Sequence, residues 1–265
     1  MRLLNLATAR SCVLLLLAAA QPLVAAEPGT PLLYRKLAVP ESLLTTTKDV
    51  TFGGDVRVGD LTGDGRCDLL VFRNARAGTK PCFLRAFTMD GKVLWQVGSS
   101  GDVPMRPGPV AIHDLDGDGQ TEVVCFLTDP ASEHPHDMRD VSLQVRDGRT
   151  GRLERRSAPE ALTKRRPGKN MADWCHQRLL IANLRGTDTP RDFVVKLGDR
   201  VLAFDERLDL VWSYMVKWTV YGRHTAYVPA VGDIDGDGRD EVTGGCYLLD
   251  DDGSPLWERL LGPHM

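Results

Sequence analysis

The sequence predicts an all-β fold, a β-propeller built from four-stranded blades. Three observations predict it. An acidic, glycine-rich loop recurs along the chain with an apolar run on each side of it. Each copy is followed by a strand–turn–strand unit that in most cases carries a tryptophan near its end. The anchors of the repeat, Asp60, Asp114, Asn183 and Asp233, lie 54, 69 and 50 residues apart. Repeats of this length with turn signals at fixed offsets are the mark of blades stacked around an axis.

The loops come first in each repeat. They read Asp60-Leu-Thr-Gly-Asp-Gly-Arg-Cys-Asp68, Asp114-Leu-Asp-Gly-Asp-Gly-Gln-Thr-Glu122 and Asp233-Ile-Asp-Gly-Asp-Gly-Arg-Asp-Glu241. Oxygen side chains at positions 1, 3, 5 and 9 converge if the backbone curls around a point. Crowded carboxylates repel unless a hard cation sits among them, and calcium accepts such flexible oxygen sets. The expected ligands are therefore Asp60, Thr62, Asp64 and Asp68; Asp114, Asp116, Asp118 and Glu122; and Asp233, Asp235, Asp237 and Glu241. The carbonyls of Arg66, Gln120 and Arg239 are expected to add to them. The first loop, with Thr62 in place of a carboxylate, should be the weakest. The alternative is a set of Asp/Gly turns that hold no ion.

These loops are not EF-hands, which need a bidentate Glu at position 12 and a helix after the loop. Position 12 falls on Val71, Cys125 and Gly244, and each loop leads into a short β-rich run. Dockerin loops, which also lead into helices, are excluded for the same reason.

The hairpin units come next. Phe83–Trp95, Val201–Trp212 and Tyr247–Trp257 each read strand, tight turn, strand, and Val141–Leu153 has the same form without the Trp. The three tryptophans should be buried at equivalent places between blades. A degenerate loop starts at Asn183, with Arg185 and Thr187 at the next ligand positions, where an arginine opposes a cation. Between blades lie a basic stretch, Lys164–Lys169, read as a solvated insertion, and a loop with His134 and His136. His113 alternates out of its strand beside Asp114 and is read as structural. About four blades are present. The chain stops where another blade would start, so an open arc from a larger seven- or eight-bladed propeller is expected, the alternative being a closed four-bladed ring.

The N-terminus reads as a signal peptide over 1–26. Arg2 and Arg10 precede and flank an apolar core, and Val24-Ala25-Ala26 supplies small residues before Glu27. That core is too short to span a bilayer. Residues 27–51 read as a linker or closing strand, and 52–265 as the blades. The mature chain is thus expected to be secreted or periplasmic, with no membrane partner after cleavage. The formal charge of −3 becomes −5 once Arg2 and Arg10 are removed, and this acidic balance argues against nucleic acid as a partner. Five cysteines remain, Cys67, Cys82, Cys125, Cys175 and Cys246, an odd number that leaves one unpaired. Cys125 and Cys246 lie in apolar runs and read as small buried hydrophobes.

The runs Val58–Gly65, Ala230–Val242 and Leu248–Trp257 resemble FG-GAP (VCBS-type) repeats, and their order is similar to that in secreted bacterial rhamnogalacturonan lyases. The resemblance covers about 52–265. It implies a calcium-rich propeller and an acidic, pectin-like polysaccharide as partner, cleaved by β-elimination. The chain departs from the lyase pattern before its second loop, where it reads Arg106–His113, and the family's N-terminal domain is expected to be absent. β-Elimination needs a cation at the uronate carboxylate and a base for the C5 proton. A bound calcium or Arg223 could neutralise the charge, and His224 or Lys217 could be the base. His176 and Arg178 are further candidates. The competing expectation is a non-catalytic, calcium-stabilised propeller for adhesion or protein contact.

Overall fold

The computed structural model describes residues 55–74, 81–98, 110–128, 141–160, 179–197, 200–215 and 229–259. The unit Met1–Lys36, and with it the signal-peptide and linker segments read at 1–26 and 27–51, lies outside them. Among the described residues of Leu37–Met265 the elements are strands. Blade 1 holds β1 (Asp55–Gly59), β2 (Asp68–Asn74), β3 (Pro81–Thr88) and β4 (Val93–Gly98). Blade 2 holds β5 (Val110–His113), β6 (Glu122–Thr128), β7 (Val141–Asp147) and β8 (Leu153–Ser157). Blade 3 holds β9 (Leu179–Ala182), β10 (Asp192–Leu197), β11 (Arg200–Phe204) and β12 (Leu210–Met215). Blade 4 holds β13 (Ala230–Gly232), β14 (Glu241–Thr243), β15 (Tyr247–Leu249) and β16 (Pro255–Glu258). Each blade is an antiparallel sheet in chain order, so the propeller architecture expected from the repeats is what the chain adopts. Among the described residues no helix is long and apolar enough to cross a membrane.

The blades superpose in register. The residue before each loop pairs with the loop's last acidic residue: Gly59 with Asp68, His113 with Glu122, Ala182 with Asp192, and Gly232 with Glu241. The outer hairpin of each blade carries a bulge at one place, after Ala86, Val145, Ala203 and Leu248. Their partners, Trp95, Arg155, Trp212 and Trp257, are therefore equivalent.

Three apolar clusters fill the spaces between successive blades. Strand β10 shows why its run is apolar throughout. Phe193 and Val195 pack toward blade 2 while Val194 packs toward blade 4, so both faces are buried and alternation vanishes. The edge strand β12, half in solvent, alternates, with Trp212 and Tyr214 inside and Val211, Ser213 and Met215 outside.

The tryptophans lock neighbouring blades together. The Trp95 indole of blade 1 donates to the Gly148 carbonyl in the β7–β8 turn at 2.7 Å, and that of Trp212 in blade 3 donates to Asp251 in the β15–β16 turn at 2.7 Å. Each ring lies on a left-handed glycine of that turn. A Cβ at Gly151 would come within 2.5 Å of Trp95, and one at Gly253 within 2.6 Å of Trp212. Blade 2 presents Arg155 instead of a tryptophan to blade 3, and the turn there holds Leu208, left-handed at φ 72 and buried. With no indole above it, a side chain fits, although the conformation itself disfavours leucine.

Trp257 corrects one expectation. It holds the equivalent position but is 39% exposed, against 8% for Trp95 and for Trp212. Among the described residues no turn of a further blade lies against it. Cys125 and Cys246 are buried and free, as read from the sequence, whereas Cys67 is exposed. Burial pushes the Cys125 thiol up to about 12 against the pull of Arg146, which makes it inert. Cys175 and the side chain of Cys82 lie outside the described residues.

Candidate metal centres

The loop between the first two strands of a blade must reverse the chain over the rim, and its acidic side chains first satisfy the backbone that does so. In the second loop Asp114 accepts from the amides of Gly117 at 2.8 Å and Gly119 at 3.0 Å, while Glu122, on β6, reaches back to the Leu115 amide at 2.7 Å. The fourth blade repeats this. Asp233 accepts from Gly236 at 2.6 Å and Gly238 at 3.0 Å, and Glu241 from Ile234 at 2.6 Å.

These bonds gather carboxylates. Ligand oxygens of Asp114, Asp116 and Glu122 lie within 4.8 Å of one another, and so do those of Asp233, Asp235 and Glu241. The buried Oε1 of Glu241 has no hydrogen-bond partner. Burial, then the neighbouring carboxylates, push the Glu122 carboxyl up to about 7, and the same causes raise that of Glu241. An orphaned oxygen among crowded acids is the arrangement a hard cation relieves, so each cluster could hold a metal ion, and an oxygen-only donor set fits calcium. Arg155 from β8 approaches Asp116 at 3.5 Å from outside the cluster.

The position-5 residues stand apart from these clusters. Asp64, Asp118 and Asp237 accept from the amides of Arg66, Gln120 and Arg239 at 2.8–2.9 Å. In the first loop Asp60 accepts from Gly63 and Gly65, and Asp68 from the Leu61 amide. Burial works to raise the Asp60 carboxyl, but the amides of Gly65, Gly63, Asp64 and Thr62 outweigh it and hold it below the usual range. The Thr62 hydroxyl lies 3.2 Å from Asp68 and 3.5 Å from Asp60, at the position where the other two loops carry a carboxylate.

In the third blade a guanidinium stands among the loop carboxylates. Arg185 bonds Asp192 at 2.7 Å and also meets Glu206. Burial opposes its charge, yet Glu206 and Asp192 raise its pKa further. Asp192 is the register equivalent of Asp68, Glu122 and Glu241, a role the sequence hid because this loop is one residue longer. The third loop is tied to the fourth: the Asn183 amide nitrogen donates to Asp240 at 2.7 Å and its side chain to the Gly238 carbonyl at 3.2 Å. His113 is structural as expected, its Nε2 lying 2.7 Å from the Pro190 carbonyl of the next blade.

Chain direction separates these loops from the other candidates. The β1–β2, β5–β6, β9–β10 and β13–β14 loops share a rim with the outer hairpin turns, as Trp95 on Gly148 and the contact of Gly148 with Leu61 and Thr121 show. The strand ends that flank residues 161–178 and 216–228 point to the opposite rim. His224, Arg223, Lys217, His176 and Arg178, like His134 and His136, lie outside the described residues.

No family model matches the chain. It is 27% identical over 271 residues to the rhamnogalacturonan exolyase YesX of Bacillus subtilis, covering 85% of this chain and 44% of the lyase. With the rhamnogalacturonan endolyase YesW of the same organism it shares 24% over 266 residues, 82% of this chain and 42% of that protein. The chain thus spans less than half the length of the curated relatives it matches. Among solved structures it is similar to the Bacillus licheniformis rhamnogalacturonan lyase PL11, with a TM-score of 0.60 at 21% identity, and to the exotype lyase YesX, with 0.58 at 21%. These cover 80% of this chain and 42% and 41% of theirs. The chain is a distant homologue of rhamnogalacturonan lyases, built on the same kind of fold.

Proposed function

We propose that the chain is a secreted, calcium-stabilised propeller of FG-GAP-type blades that acts by lyase chemistry on an acidic, pectin-like polysaccharide. The observation that carries this reading is the homology to rhamnogalacturonan lyases across more than four fifths of the chain. The carboxylate clusters support the calcium part. In this reading the ions hold the loop rim rigid, since the strand ends flanking Lys217, Arg223 and His224 point to the other rim. Neutralising the uronate carboxylate then falls to Arg223 or a bound calcium, and removal of the C5 proton to His224 or Lys217.

Incubation with rhamnogalacturonan is expected to release an unsaturated uronate, followed by its ultraviolet absorbance, and His224→Ala is expected to abolish release. Absence of product with polysaccharide binding intact in both proteins would identify a non-catalytic binding propeller instead.

The calcium part is tested separately. Calcium added at a hundredfold excess over its Kd to chelator-treated protein is expected to stabilise it by about 2.7 kcal/mol per site. That corresponds to roughly 5–10 °C in melting temperature for a domain of this size. Glu241→Gln should lose the contribution of the fourth-blade loop. A melting curve that neither chelator nor calcium moves, with no metal by elemental analysis, overturns it.

A further inference from the structure

Blade 2 differs from its neighbours at one position of its outer strand. Where blades 1 and 3 carry Trp95 and Trp212 beside the hairpin bulge, β8 carries Arg155, opposite Val145. Those indoles reach forward to a turn of the next blade, at Gly148 and Asp251. The guanidinium reaches back to its own blade's acidic loop, where Nη2 lies 3.5 Å from Oδ2 of Asp116. Asp116 belongs to the carboxylate cluster with Asp114 and Glu122. A second guanidinium, that of Arg191 in blade 3, lies against the same loop, its Nη2 2.5 Å from where a Cβ on Gly117 would stand.

A guanidinium beside a ligand carboxylate does two things to an incoming cation. It repels the ion, and it engages an oxygen that the ion needs. This pair is also able to yield. Its contact is long for a charged hydrogen bond, and both side chains are partly open to water, at 29% and 40%. Among the described residues the buried Nε of Arg155 has no partner, so nothing else fixes the guanidinium where it stands. In the fourth blade the same two positions hold Asp235 and Trp257, and an indole carries no charge to compete with an ion.

We propose, on the reading of the acidic loops as calcium sites, that Arg155 competes with the ion for Asp116 and holds the second-blade site at reduced affinity. Without calcium, the guanidinium supplies part of the positive charge that the loop's carboxylates need. With calcium bound, Asp116 turns to the ion and Arg155 gives it up. The second-blade loop is thus built to empty and refill as calcium varies, at a joint between blades that no tryptophan closes.

Calorimetric titration of calcium into the chelator-treated full chain tests this. The binding step of the second blade is the one that Glu122→Gln removes, and it is followed in the Glu241→Gln protein, where the fourth-blade loop is silent. Arg155→Met, which keeps the stem and removes the charge, is expected to tighten that step roughly three- to tenfold. Arg155→Lys, which keeps the charge, should leave it near its original value. The gain in Arg155→Met should shrink as ionic strength rises from about 0.01 to 0.5 M, because screening weakens the competition. An affinity that is unchanged or lowered in Arg155→Met overturns the proposal and leaves the calcium reading intact. So does a gain that Arg155→Lys matches and salt does not move, which would be an effect of packing. A chain that takes up no calcium at all overturns both.

Discussion

Trp95→Ala is expected to destabilise the protein by about 3–5 kcal/mol, the range for removing a large aromatic ring from a packed core. The indole is 8% exposed, fills the gap over Gly151 and donates to Gly148, so its loss leaves a cavity and an unpaired carbonyl in the joint between blades 1 and 2. Trp212→Ala should behave alike, because its ring lies on Gly253 and bonds Asp251. Trp257→Ala, at a position 39% exposed, should change stability by about 0.5 kcal/mol or less. Denaturant melts of the three variants check this. A Trp95→Ala protein that melts with Trp257→Ala refutes the role assigned to the indole–turn joint.

Arg185→Ala is the second large effect. Asp192 is fully buried and Glu206 lies beside it, so removing the guanidinium leaves two carboxylates facing each other, one without water. Breaking a fully buried pair costs about 3–5 kcal/mol, and the 34% exposure of Arg185 lowers the expectation to about 2–3 kcal/mol. Burial already raises the Asp192 carboxyl and Arg185 opposes that rise, so without Arg185 its pKa should climb further. A folded carboxyl pKa above its unfolded value costs stability once the pH exceeds the unfolded value. The loss should therefore shrink as the pH falls toward the ordinary carboxylate range. Equal destabilisation at neutral and acid pH would show that Arg185 acts through packing alone.

The blade was legible because its loops are written in residues with few other uses. Asp and Gly at fixed offsets, leading into a β-rich run, allow little besides a tight reversal between strands. The fates of Arg155 and Asp192 were not legible. Arg155 replaces a tryptophan only when the bulge after Val145 is counted, and a bulge shifts the pairing without marking the sequence. Asp192 lies one place beyond the expected spacing, so its equivalence to Glu122 appears only in the strand register. The exposure of Trp257 was misread for another reason. Its own strand is written like that of Trp212, and burial there is set by the neighbouring blade.

The two rims differ in how freely their length can drift. On the rim of the acidic loops, the spacing from the first acidic residue to the last is the same in three blades, and the Asn183 loop departs from it by a single residue. Every connection longer than these, at residues 99–109, 129–140, 161–178 and 216–228, joins strand ends on the other rim. On the acidic-loop rim neighbouring loops are tied to each other, as the Asn183 amide bonded to Asp240 shows. One rim therefore acts as a fixed chassis, and new specificity can be acquired on the other by lengthening a connection without disturbing a blade.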